Sequence, residues 1–336
     1  MGSFPALVVR EAGKIRQVAL EAMDDAQLPP GEVTVAVQFS SLNYKDGLAI
    51  TGKGPIIRRY PMVPGIDLAG RVIASDVSAF APGDPVLVTG WGIGEEHWGG
   101  YAGKARVRAD WLVRLPANMT ARQAMGFGTA GFTAMLAMQN LEAHGVGRER
   151  EILVTGAGGG VGGVAVALLS RLGYRVAVST GRHELDGYLK SLGAASILDR
   201  AELAAPSRPL LRERWGGVVD TVGGQTLATV LAGLAAYGCA VACGLVGGSD
   251  LPATVFPFLL RGVALVGAES AHCPGPRRVA AWQRLAEIFP EGLPEAMVEE
   301  IDLADVPAKA EAILAGRTRG RVVVRLGSSP PRPGPS

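Results

Sequence analysis

Between residues 156 and 163 the chain reads Gly156-Ala157-Gly158-Gly159-Gly160-Val161-Gly162-Gly163. The apolar run Ile152-Leu153-Val154 stands just before it, and a helix-like stretch, 164–172, follows directly. Strand, glycine turn and helix in that order constrain the fold more than any other feature. Glycines permit the tight turn and let the backbone approach a pyrophosphate, whose charge then faces the free N–H groups of the helix N-terminus. Two registers satisfy the spacing. Gly158-x-Gly160-x-x-Gly163 is the strict form, and Ala157-x-Gly159-x-x-Gly162 carries Ala in place of the first Gly. A bare strand-to-helix turn is the alternative, because glycine-rich turns are common; the flanking periodicity favours a dinucleotide.

The next strand decides which dinucleotide. It covers 174–179 and ends about twenty residues after the turn, where an Asp or Glu usually takes the ribose 2′-hydroxyl. This chain reads Ser179-Thr180-Gly181-Arg182 there, and Arg200 follows the next apolar run, Ala195-Ser196-Ile197-Leu198-Asp199. A guanidinium offers a fork of donors that fits a phosphate, and no carboxylate stands there to repel one. NADPH is therefore favoured over NADH. Gly158, Gly159, Gly160 and Val161 form its phosphate turn, and Thr180, Gly181, Arg182 and Arg200 meet its phosphorylated ribose. In the competing reading both arginines are solvated loop charges and Glu184 serves the ribose.

Before Thr120 the pattern is rich in strands and turns, with strands expected at 33–37, 70–74 and 85–88. Helices are expected at 121–127 and 132–142. From 151 to 268 strands and helices alternate, which predicts a doubly wound parallel sheet, a Rossmann unit. A helix at 277–288 and an alternating strand at 320–326 come last. The tail 328–336 is rich in Pro, Ser and Gly, cannot bury apolar surface, and is expected to be disordered.

At 336 residues the chain is long enough for two domains with substantial cores. A net charge of +2, with arginines scattered, offers no basic tract for nucleic acid. No apolar run reaches the roughly eighteen residues of a membrane span. The N-terminus lacks the basic-then-apolar pattern of a secretory leader. Cys239, Cys243 and Cys273 are too few and wrongly spaced for a zinc site or a disulfide framework, and read as small buried hydrophobes. These features predict a cytoplasmic protein with no metal, membrane or nucleic-acid partner.

Several segments carry a resemblance that covers essentially the whole chain. They are Ser40-Ser41-Leu42-Asn43-Tyr44-Lys45-Asp46, Pro64-Gly65-Ile66-Asp67-Leu68-Ala69-Gly70 and Gly128-Thr129-Ala130-Gly131-Phe132-Thr133-Ala134-Met135, with Ala242-Cys243-Gly244-Leu245. The most specific is Thr89-Gly90-Trp91-Gly92-Ile93-Gly94-Glu95-Glu96-His97-Trp98-Gly99-Gly100. This order resembles the medium-chain dehydrogenase/reductase superfamily, in its zinc-independent quinone-oxidoreductase-like branch, and within it the acrylyl-CoA reductases. Where zinc alcohol dehydrogenases of the superfamily carry Cys and Gly-His-Glu, this chain has Asn43-Tyr44 and Gly65-Ile66-Asp67. The four-cysteine lobe of that branch is missing as well.

The resemblance implies an α/β fold in which a Rossmann doubly wound sheet is inserted after a β-rich GroES-like catalytic domain. That domain would cover 1–122 and 271–327, with the NADPH-binding domain at 123–270. It further implies NADPH-dependent reduction of the C=C bond of acrylyl-CoA, a CoA thioester, by hydride transfer to the β-carbon and protonation of the α-carbon. No metal is needed, because the thioester carbonyl takes up the developing charge. Tyr44 and Asn43 are the implied catalytic residues, although Tyr44 also reads as a packing residue, and Asn43 and Asp67 as structural caps. Tyr44, Thr129, Leu245 and Ser270 are implied cofactor contacts. His97 reads either as an acid or as a loop brace. Relatives pair through the edge strand of the Rossmann sheet, here 262–267, so a homodimer is expected. The alternatives are a general NADPH:quinone or enone reductase and a non-catalytic NADPH-binding protein, crystallin-like or RNA-binding.

Overall fold

The computed structural model describes residues 2–13, 15–205 and 208–326; the tail 328–336 lies outside them. The chain opens with a hairpin of β1 (Ser3–Ala12) and β2 (Ile15–Asp24), paired from Ser3 opposite Asp24 to Ala12 opposite Ile15. Next come β3 (Val33–Leu42), α1 (Tyr44–Thr51), β4 (Asp67–Ser75), β5 (Pro85–Thr89), β6 (Lys104–Val107) and β7 (Val113–Arg114). A long helix, α2 (Ala121–Ala143), precedes the alternating part. That part begins with β8 (Glu151–Thr155), α3 (Gly160–Arg171), β9 (Val176–Thr180), α4 (Asp186–Ser191) and β10 (Ala194–Asp199). It continues with α5 (Ala201–Ala204), β11 (Trp215–Asp220), α6 (Gly224–Gly233), β12 (Leu234–Ala242), α7 (Phe256–Arg261) and β13 (Ala264–Gly267). Last are α8 (Gly275–Ile288), β14 (Val298–Asp302), α9 (Val306–Leu314) and β15 (Arg321–Arg325).

These elements form two compact units. Of the described residues, the first takes those up to Thr129, together with Pro274–Val279 and those from Pro290 to Leu326; the second takes those of Ala130–Cys273 and Ala280–Phe289. In the first, a sheet runs in the order β14-β15-β3-β4-β5-β7, with β6 also paired to β3. Its central strand shows why the pattern is legible: Val33, Val35 and Val37 are buried in the core with Leu68, Val72, Val86 and Val88, while Thr34 and Ala36 between them are only partly covered.

In the second unit six strands, all parallel, follow the order β10-β9-β8-β11-β12-β13. A parallel sheet covered by helices on both faces needs continuous apolar strands, and every residue of β9, Val176–Thr180, is buried. The strand order reverses between β8 and β11. In open α/β sheets such a switch point, at the carboxyl ends of the strands, is where ligands bind. The chain is therefore an α/β protein with a doubly wound parallel sheet.

Two segments fall on the other side of the boundaries expected at 122/123 and 270/271. Residues 123–129 go with the first unit, because Gly126 and Thr129 are hydrogen-bonded to Arg321 and Asp67. Residues 280–289 go with the second, where Trp282 stacks on Phe132 at 6.1 Å and Arg284 pairs with Glu142. The helices expected at 121–127 and 132–142 are the two arms of α2, which breaks at Gly128 (φ 51°, ψ −157°).

Candidate functional site

In the second unit the glycine turn follows β8. Gly156 is left-handed (φ 61°), Gly159 is the N-cap of α3, and Gly160 and Val161 begin the helix. The structure chooses between the two registers. A Cβ on Gly162 would lie 2.5 Å from the Gly156 carbonyl oxygen and 2.8 Å from Ala157 Cα, so Gly162 lets helix and strand pack closely. Ala157-x-Gly159-x-x-Gly162 is the working frame. Gly159 is exposed and Gly160 and Val161 partly so, which turns the first amides of α3 toward solvent and an incoming anion.

The end of β9 closes on this turn. Arg182 donates from Nη2 to the Gly158 carbonyl at 2.8 Å, and its backbone N–H donates to Thr180 Oγ1 at 3.1 Å. Arg200 lies across Gly181, where a Cβ would sit 2.4 Å from its Nε; its backbone N–H donates to the Thr180 carbonyl at 2.9 Å. Gly158, Thr180, Gly181, Arg182 and Arg200 are thus brought together. Leu245, in the loop after β12, is 68% exposed, and Ser270 accepts a hydrogen bond from Thr133 at 2.9 Å.

In the first unit the candidates gather round a buried carboxylate. Asp67, at the start of β4, is fully buried and accepts hydrogen bonds from Ser41 Oγ (2.5 Å), Asn43 Nδ2 (2.8 Å) and both the amide (2.9 Å) and hydroxyl (2.5 Å) of Thr129. The interruption of α2 makes this possible, since Gly128 bends the chain so that the Thr129 N–H points at Asp67 rather than along a helix. Arg321, also buried, donates to Ser41 Oγ (3.0 Å), Asn43 Oδ1 (3.2 Å) and the Gly126 carbonyl (3.1 Å).

Asn43 caps α1 in a reciprocal box with Asp46, whose Oδ2 accepts the Asn43 N–H at 2.9 Å while Oδ1 accepts the Ile66 N–H at 2.9 Å. Both ends of the Asn43 amide are engaged within the protein, so its contribution is to set the head of α1. There Tyr44 stands 45% exposed, with its ring free of the core. Burial, and then the charge of Asp67, push the Asp46 carboxyl up to about 7. Burial lowers Arg321 from its usual range, with Asp67 and Asp46 opposing that shift. Tyr101 donates to the Ser41 carbonyl at 3.0 Å and is raised well above the ordinary phenol range, chiefly by burial.

The 89–100 segment is a compact loop. Trp91 is left-handed (φ 57°), a conformation rare for a bulky side chain, and Arg278 lies over its ring at 4.9 Å. Arg278 also donates to the Thr89 carbonyl (2.7 Å) and hydroxyl (2.8 Å). His97 Nε2 sits 2.7 Å from the Arg106 carbonyl and its ring meets Trp111 edge-on at 5.2 Å; burial lowers its pKa. His97 therefore braces the loop. Arg321 and Arg278 were not legible as site residues. Each is a buried cation whose partners are remote in sequence, Ser41 being 280 positions from Arg321.

The residues of the second unit fit a dinucleotide carrying a 2′-phosphate: Arg182 Nη2 lies against Gly158 of the turn, and the Arg200 side chain lies across Gly181 just after β9. Among the described residues no group of three or more His, Cys, Asp or Glu side chains is placed to hold a metal ion, and no helix is long and apolar enough to cross a membrane.

Known proteins bear out this architecture. Residues 29–117 match the alcohol dehydrogenase GroES-like domain and residues 160–287 the zinc-binding dehydrogenase domain. The chain belongs to the medium-chain dehydrogenase/reductase family. It is 53% identical to the acrylyl-CoA reductase AcuI of Ruegeria pomeroyi, over 96% of this chain and 98% of that one. Among solved structures it is similar to the yhdH oxidoreductase of Salmonella enterica in complex with NADP (51% identity, TM-score 0.92, 96% and 100% of the two chains). It is also similar to yhfP of Bacillus subtilis with NAD bound (41% identity, TM-score 0.93, 97% and 100%).

Proposed function

We propose that this chain is an NADPH-dependent acrylyl-CoA reductase, which reduces the C=C bond of the thioester to give propionyl-CoA. The observation that carries the reading is the pair Arg182 and Arg200 at the end of β9, in a chain similar over nearly its full length to an acrylyl-CoA reductase. A relative with NAD bound makes the cofactor a real choice, and two guanidiniums with no acid at the end of β9 favour the phosphorylated ribose.

When bound, NADPH supplies the hydride added at the β-carbon. The protein's part is to bind and orient. Gly158, Gly159, Gly160 and Val161 receive the pyrophosphate at the start of α3; Thr180, Gly181, Arg182 and Arg200 take the 2′-phosphorylated ribose. Tyr44, Thr129, Leu245 and Ser270 serve the nicotinamide end. Asp67, Arg321 and Asn43 act through position, holding the head of α1 so that the Tyr44 phenol is presented at a set place. The large anionic handle of the thioester supplies binding energy that orients the small electrophile.

The GroES-like part is the catalytic domain and the second unit the cofactor domain. The enzyme is cytoplasmic and acts as a homodimer, with no nucleic-acid or membrane partner. The test is NADPH consumption with acrylyl-CoA, free acrylate and 1,4-benzoquinone. Acrylyl-CoA is expected to be reduced with by far the highest kcat/KM. Rapid turnover of the quinone with an inert thioester would replace this reading with a general quinone reductase, and no turnover with any acceptor would make the protein non-catalytic.

A further inference from the structure

Beside the two arginines stands a histidine that the proposed function does not use. His183 follows Arg182 and begins a tight turn, His183–Leu185, that leads into α4. Its Nε2 lies 2.7 Å from Oδ2 of Asp199, the last residue of β10, and its Nδ1 lies 3.8 Å from Oδ1 of Asp186. That Asp186 oxygen is buried and has no hydrogen-bond partner among the described residues. Both ring nitrogens therefore face carboxylates. A neutral imidazole serves Asp199 alone, whereas the protonated ring also attracts Asp186 through charge, at 3.8 Å, beyond hydrogen-bond distance.

The bridge joins the two loops that carry the arginines. Arg182 precedes His183, Arg200 follows Asp199, and both loops are anchored on Thr180, through its hydroxyl and its carbonyl. Charge points the same way. His183 faces Asp199 from β10, Asp186 from α4 and Glu184 from its own turn, and Glu202 accepts the Asp199 N–H at 3.2 Å. Arg182 and Arg200 stand against these, and a protonated histidine adds a third cation beside the place where a phosphate dianion would arrive.

We propose that His183 is a positioning residue for cofactor choice: protonated, it clasps Asp199 and Asp186, holds Arg182 and Arg200 around Gly181, and so ties the preference for a 2′-phosphorylated dinucleotide to proton uptake. The inference rests on the NADPH reading above. The Asp199 hydrogen bond raises the His183 pKa from its ordinary value, against a smaller effect of desolvation, and the charges of Asp199, Asp186 and Glu184 add to the rise. The clasp is thus complete below about pH 6.5, the ordinary histidine value, and is lost as pH rises through the raised one. Because a phosphate monoester itself titrates near pH 6, the informative range lies above about pH 7.

The test measures dissociation constants of NADPH and NADH for the full-length protein from about pH 7 to about pH 9, using the fluorescence of the reduced nucleotides. The affinity ratio of NADPH to NADH is expected to fall about threefold to fivefold across that range in the unmodified protein, as for an exposed ion pair. In His183→Asn the ratio is expected to start low and stay flat, and in His183→Lys, which keeps the charge, to stay high and flat. A pH-independent ratio in the unmodified protein, or the same pH profile in His183→Asn, overturns the clasp while leaving NADPH as the cofactor. Equal affinity for both nucleotides at every pH overturns the cofactor reading itself, and the clasp with it.

Discussion

Arg182 illustrates what a single residue carries here. Its Nη2 ties the end of β9 to the Gly158 carbonyl, while the cation stands where a ribose-binding acid is usual. Replacing it with Ala is expected to weaken NADPH binding by about 1–3 kcal/mol, the range for a charged hydrogen-bond partner, and to leave NADH nearly unchanged. Nucleotide titration of both proteins checks this, and equal losses for the two cofactors would make Arg182 a brace of the glycine turn alone. Arg182 was legible as a candidate because it follows the strand that ends about twenty residues after the glycine motif, and Arg200 because it closes the next apolar run. Arg321 was not. It lies in the final alternating strand, where nothing local marks it, yet it is 2% exposed and bonded to Ser41 and Asn43. Tyr44 and Asn43 were found together from one motif, but only the three-dimensional arrangement separates an exposed phenol from an amide engaged at both ends.

At the scale of elements, backbone geometry rather than side-chain chemistry does the positioning. Spacing alone left two registers open for the glycine turn, because both contain small residues at the required intervals. The close approach of α3 to the Gly156 carbonyl selects Gly162. Gly162→Ala is accordingly expected to destabilise the protein by about 1–3 kcal/mol, as overpacking against backbone does, and to weaken nucleotide binding as α3 is pushed off the strand. Chemical denaturation with and without NADPH measures both; an unchanged midpoint and affinity would return the third-glycine role to Gly163. The break of α2 at Gly128 was legible only from its two sides, as separate helices. Periodicity registers the apolar faces on either side of a break, not the left-handed residue that makes it.

For the molecule as a whole, the six-stranded sheet ends in β13, whose outer edge has no strand partner among the described residues. Leu259, in α7 just before it, is 74% exposed, and Tyr237, whose ring lies near Gly262, is 81% exposed, an apolar surface of the kind that a second copy covers. A dimer is expected by sedimentation velocity at micromolar concentration, and Leu259→Lys is expected to shift it toward monomer. A monomer in the unmodified protein would refute the pairing. By itself the sequence determined the α/β class, the parallel sheet, the glycine turn and the phosphate-binding chemistry, because periodicity, turn residues and charge act over a few neighbouring positions. Only the tertiary structure decided the register of that turn, the caged Asp67 with Arg321, and the clasp of His183 on Asp199. Each of these depends on groups from separate elements being brought within hydrogen-bonding distance, and no local pattern encodes that distance.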